Sequence, residues 1–128
     1  MTRYFTIDEA NALLPVLRPQ VAALVRAWRR LSASHAAVIA ILNRAPRSDL
    51  GGPPLSDAAA DIIRVQNALF AIQSHGVELK DPATGLLDFP ALRDGVAVYL
   101  CWRYGEPRVA YWHPIETGFA GRRPIDDL

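Results

Sequence analysis

The chain has one cysteine, Cys101, and one lysine, Lys80. It has no charge-free apolar run of bilayer length. A lone cysteine excludes a disulfide framework and fits a reducing compartment. The most apolar stretch, Val16 to Leu42, carries Arg18, Arg26, Arg29 and Arg30, a charge density that forbids a membrane span. In the opening MTRYFTIDEANALLP, Asp8 and Glu9 break the apolar run that a secretory signal needs, so a soluble cytoplasmic protein with no membrane partner is expected. No Walker A, GxGxxG or GxSxG arrangement is present, and no CxxC, HxH or HExxH spacing. These absences leave ATP-driven, dinucleotide and serine-hydrolase chemistry without support. They give no metal site, no cofactor and no assignable catalytic group. With 14 bases against 13 acids, a formal net charge of +1, the chain is not built for nonspecific phosphate binding.

What is present is enough for a folded body. The 128 residues are 51% hydrophobic and 21% charged, which excludes a disordered chain and predicts a single domain over residues 1–128. Residues 7–75 read as helix. Thr6 and Glu9 form a capping box, and the acids of that turn suit the helix dipole. Pro15 predicts a break, giving a short helix over 7–14 and a long one starting at the proline. Leu17, Val21, Leu24, Trp28, Leu31, His35, Val38 and Leu42 are spaced alternately by four and three residues, a seam for another helix. His35 within that seam is either a register-setting polar residue or a half-wet edge residue. After a loop from Arg44 to Leu55, Ser56 caps a helix over 57–75 with Ala58, Ile62, Val65, Leu69 and Ile72 on one face. Gly76 ends it. The two long helices are expected to form an antiparallel hairpin of unequal arms, about 45 Å against about 28 Å. The seam left uncovered predicts a homodimer or other homo-oligomer.

From Val77 the pattern becomes that of strands, over residues 77–112. Val77–Lys80 and Leu86–Phe89 flank a loop with Pro82 and Gly85. Val96–Arg103 and Arg108–Trp112 flank Tyr104-Gly105-Glu106-Pro107. Residues 113–128 read as a coil tail. A symmetric last hairpin places Arg103 opposite Arg108, Cys101 opposite Ala110 and Tyr99 opposite Trp112. One face then holds Tyr99, Cys101, Arg103, Arg108 and Trp112, an aromatic and arginine surface that is not ordinary solvated sheet. Cys101 and His113 fall on opposite faces in this register, which argues against a nucleophile–base dyad. His113 and Glu116, with Asp88, are metal-capable but lack a ligand spacing. Residues 10–48 carry six arginines and no acid, a basic helical surface suited to an acidic partner or to solvation.

The segments YFTIDEANALLP and GVELKDPATGLLDFPALRDGVAVYLCWRYGEPRVAYWHPIETGFAGRRPI resemble a prokaryotic family catalogued as domain of unknown function 2203. The resemblance implies a small cytoplasmic prokaryotic protein. It supplies no catalytic residue. Together these readings give an α+β fold, an N-terminal antiparallel helical hairpin packed on a small antiparallel β-sheet with an irregular C-terminal tail. The function expected first is a non-catalytic binding or assembly module that self-associates. Its binding surface would be Tyr99, Arg103, Arg108 and Trp112, with His113 and Glu116 at the rim. One alternative is a small enzyme using His113 with Glu116 or Asp88, with or without a metal. The other is an RNA-binding protein using the arginine–aromatic face, which the near-neutral charge disfavours.

Overall fold

The computed structural model describes the backbone of residues 2–44 and 53–127, and the side chains of residues 2–33 and 57–126. Two helices, α1 (Ile7–Arg44) and α2 (Pro53–Gln73), precede five strands: β1 (Glu78–Asp81), β2 (Leu86–Arg93), β3 (Val96–Arg103), β4 (Tyr111–Pro114) and β5 (Arg123–Pro124). The strands form one antiparallel sheet in the order β1-β2-β3-β4-β5. The fold is α+β. No described helix is long and apolar enough to cross a membrane. The seam positions from His35 onward and the cap at Ser56 lie outside the described side chains.

The capping box forms: Thr6 N donates to Glu9 Oε1 at 2.9 Å and Glu9 N to Thr6 Oγ1 at 3.1 Å. The break at Pro15 does not form. α1 runs through both Pro15 and Pro19. Each proline costs the helix one hydrogen bond, from the carbonyls of Asn11 and Pro15. Both prolines face solvent, where those carbonyls can take water. Ala10, Leu14, Leu17 and Val21, fully buried on the other side, hold the helix to the sheet across the gap. Tertiary burial overrides the local breaker.

α2 begins at Pro53, four residues earlier than expected. Val65 and Ile72 pack on the core as the spacing predicts, but Asp61 and Ala68 are buried next to the expected Ile62, which is 44% exposed, and Leu69. Asp61 is held there because its Oδ1 accepts from Arg30 Nε of α1 at 3.1 Å and from Arg64 Nη1 at 2.9 Å. Beneath the helices lie Leu87, Phe89, Leu100, Trp102 and Trp112. Phe5 meets Phe89 edge-to-face with centroids 5.3 Å apart.

β2 continues past Phe89 through Pro90 to Arg93, where a connection was expected. Pro90 is tolerated because β1 has ended by then. Its carbonyl accepts from Phe5 N at 2.7 Å on that open side, and its nitrogen, pointing the same way, forfeits no ladder bond. Asp94 and Gly95, both at positive φ, close a two-residue hairpin to β3.

The last hairpin departs from the symmetric register. Arg108–Ala110 do not join β3. The Asn11 amide of α1 takes both backbone groups of Val109: Val109 N donates to Oδ1 at 2.7 Å, and Nδ2 donates to the Val109 carbonyl at 3.3 Å. Arg18 holds the Pro107 carbonyl at 2.6 Å. β4 therefore starts at Tyr111, and Tyr99 pairs with His113, Leu100 with Trp112, and Cys101 with Tyr111. This is one residue from the expected register, and every β4 side chain changes face. The tail is not all coil: β5 pairs with β4, and Ile125 N donates to the Ala110 carbonyl at 2.9 Å.

Candidate functional site

One side of the sheet packs on the helices. The other carries Glu78, Asp88, Tyr99, Cys101, Tyr111 and His113, as the alternation along four paired strands requires. Asp88 of β2 lies directly across from Cys101 of β3. His113 of β4 lies across from Tyr99, one step diagonal to Cys101. All three chemical groups are closed off: Cys101 is 0% exposed, His113 2% and Asp88 3%. Their donor atoms lie within 4.8 Å of one another.

The hydrogen bonds locate the protons. His113 Nδ1 lies 2.7 Å from the Pro114 carbonyl, which can only accept, so Nδ1 carries a hydrogen. His113 Nε2 lies 3.0 and 3.1 Å from the two Asp88 oxygens. A bare nitrogen lone pair against a carboxylate would repel, so a second proton sits between them. The Asp88–His113 pair is thus electrically neutral as a unit. Burial pushes the Asp88 carboxyl pKa up, and its hydrogen bond with His113 opposes that rise. Burial, with the Asp88 charge behind it, pushes the Cys101 thiol up to about 12. At neutral pH the thiol is held in its protonated form, which makes Cys101 a poor nucleophile.

The surroundings fix this cluster. The Tyr99 ring lies 5.5 Å from the His113 ring, and its hydroxyl donates to Glu78 Oε2 at 2.9 Å. Lys80 Nζ donates to Glu78 Oε1 at 2.9 Å and sits 4.7 Å from the Tyr99 ring centre. From the tail, Arg122 stacks 3.7 Å above Tyr111 and donates to Glu106 Oε2 at 2.6 Å. Phe119 packs between Arg122 and Arg103. The chain's own C-terminal segment therefore covers part of the face.

The structure separates the proposed arginine–aromatic surface. Tyr99 and Arg103 are on the outer face. Trp112 is on the inner one, buried, and Arg108 is in the loop before β4. Tyr99, Arg103, Arg108 and Trp112 therefore do not share one sheet face. Glu116 is exposed in the tail, outside the cluster that His113 joins. The opposite-face placement of Cys101 and His113 is also reversed, and Asp88 joins them. Part of this was readable: Asp94-Gly95 as a two-residue turn pairs Arg93 with Val96 and hence Asp88 with Cys101. The place of His113 was not, because it depends on Asn11, 98 residues from Val109.

The molecule is thus an α+β domain with a buried Asp–Cys–His cluster on the sheet face away from its helices. It belongs to the family described as uncharacterized conserved protein (DUF2203), whose family model matches residues 3–125. No curated protein and no solved structure matches the chain.

Proposed function

We propose that this chain is a metal-binding protein whose centre is Asp88, Cys101 and His113, taking one divalent transition metal of the zinc type. One observation carries the reading: oxygen, sulfur and nitrogen donors from three adjacent strands lie within 4.8 Å of one another in a closed site. Such a mixed donor set suits zinc, which takes thiolate, imidazole and carboxylate in one coordination shell. Charge supports it too. Loading a dication would release the thiol proton and the proton shared by Asp88 and His113. The resulting thiolate and carboxylate balance the ion, so the buried cluster is neutral with or without metal. The Pro114 carbonyl already holds Nδ1, leaving Nε2 as the ligand atom. The closed setting favours retaining an ion over admitting a substrate. The role is accordingly binding rather than turnover, with the ion tying β2, β3 and β4 together.

Metal analysis of untagged protein, reconstituted with Zn²⁺ and then dialysed, tests this. About one zinc per chain is expected, with loss in Cys101→Ser and His113→Ala. Cobalt-loaded protein should show a sulfur-to-metal charge-transfer band that Cys101→Ser lacks. Zinc that washes off the wild-type chain, or that Cys101→Ser retains equally well, would overturn the reading.

A further inference from the structure

A second feature, remote from the cluster, is a groove of about 580 Å³ between α1 and α2. Its charged rim is Arg26 and Arg30 from α1 and Arg64 from α2, with the Asn67 amide beside them and Ala23 and Ala68 among the lining residues. Arg26 and Arg30 are one turn apart on the same helix face, a like-charge pair that repels unless something negative lies between. The acid bound to this rim, Asp61, is buried and accepts from both Arg30 and Arg64 through one oxygen. It fixes two guanidinium groups from two helices side by side and leaves most of their N–H donors unused. Arg26 has no partner among the described residues. The rim is thus about two positive charges in excess, the Arg30 and Arg64 guanidinium groups are paired side by side through Asp61, and the small alanines leave room for a ligand.

We propose that this groove binds a small multivalent anion of the phosphate class, with Arg26, Arg30 and Arg64 as ligands and Asp61 as the positioning residue. Guanidinium forks match tetrahedral oxyanions, and two of them are already arranged. A free phosphorylated small molecule is favoured over a nucleic-acid backbone. The site is an open groove between two helices with only three arginines on its rim, and the chain as a whole has a formal net charge of only +1. The groove does not include the Asp–Cys–His cluster, so it stands or falls independently of the metal reading.

The test is calorimetric titration with inorganic pyrophosphate at fixed ionic strength, on the wild-type chain and on a Cys101→Ala chain to remove any heat from metal chelation. Saturable one-to-one binding is expected in both. Arg26→Gln and Arg64→Gln should each weaken it by roughly tenfold or more. Arg64→Lys, which keeps the charge but not the fork, should fall between. Arg26 is exposed and makes no described contact, so Arg26→Gln remains folded, as circular dichroism would show. Absence of saturable binding, or equal binding by Arg26→Gln, would overturn the proposal. So would displacement of pyrophosphate by a single-stranded RNA at much lower concentration, which would assign the groove to nucleic acid.

Discussion

Cys101 shows how burial decides what a side chain can do. Its thiol is fully enclosed beside a carboxyl group, and its pKa rises from an ordinary value of 9.0 to about 12. Between those values the folded metal-free chain holds a proton that the unfolded chain has lost. The stability tied to that proton is complete below about pH 9 and disappears as pH rises toward 12. Thermal midpoints of metal-free protein should therefore drop along an alkaline limb, and Cys101→Ala should flatten that limb. The sequence placed the cysteine on the sheet face away from the helices and argued against a nucleophile–base dyad. It did not make its neighbours visible, because an imidazole and a carboxyl from two other strands meet it only through register.

The elements themselves were more legible than their joins. The capping box at Thr6, the strand Val96–Arg103 and the left-handed Gly85 follow from local chemistry and are present. Gly85 also has no room for a side chain: a Cβ there would lie 2.7 Å from Val21 Cγ1 and 2.8 Å from Tyr104 Cβ. The continuous α1, the strand through Pro90 and the late start of β4 were not legible. Each depends on a partner distant in sequence, whether a buried face, the Phe5 amide or the Asn11 amide. Asn11 is the clearest case. Asn11→Ala should leave the Val109 N–H and carbonyl without partners and cost about 2 kcal/mol. That is a fall in Tm of roughly 6–8 °C. Differential scanning calorimetry would measure it, and hydrogen exchange should increase first at Val109.

At the scale of the whole molecule, the sheet is covered by helices on one side and in part by its own tail on the other. Arg122 is the main rivet of that tail, through Glu106 and the ring of Tyr111. Arg122→Ala should loosen the tail without disturbing the helices. A loss of about 1.4 kcal/mol in local closure raises the open population about tenfold. Labelling of Cys101 by a thiol reagent in metal-free protein should accelerate by about that factor, while far-ultraviolet circular dichroism remains constant. Unchanged labelling would mean that the tail does not guard the cysteine.

The segment between Gly105 and Ala110 thus acts as a counter as well as a connector. Pinned at Pro107 and Val109 by α1, it delivers β4 to the sheet with a fixed parity. Removing or adding one residue there would carry Trp112 outward and His113 inward, putting an indole where the imidazole stands and an imidazole into the hydrocarbon core. Changes of two residues would restore the parity. Length variation in this loop is therefore constrained to even steps wherever the chemistry of the outer face is retained, although no residue of the loop belongs to the cluster.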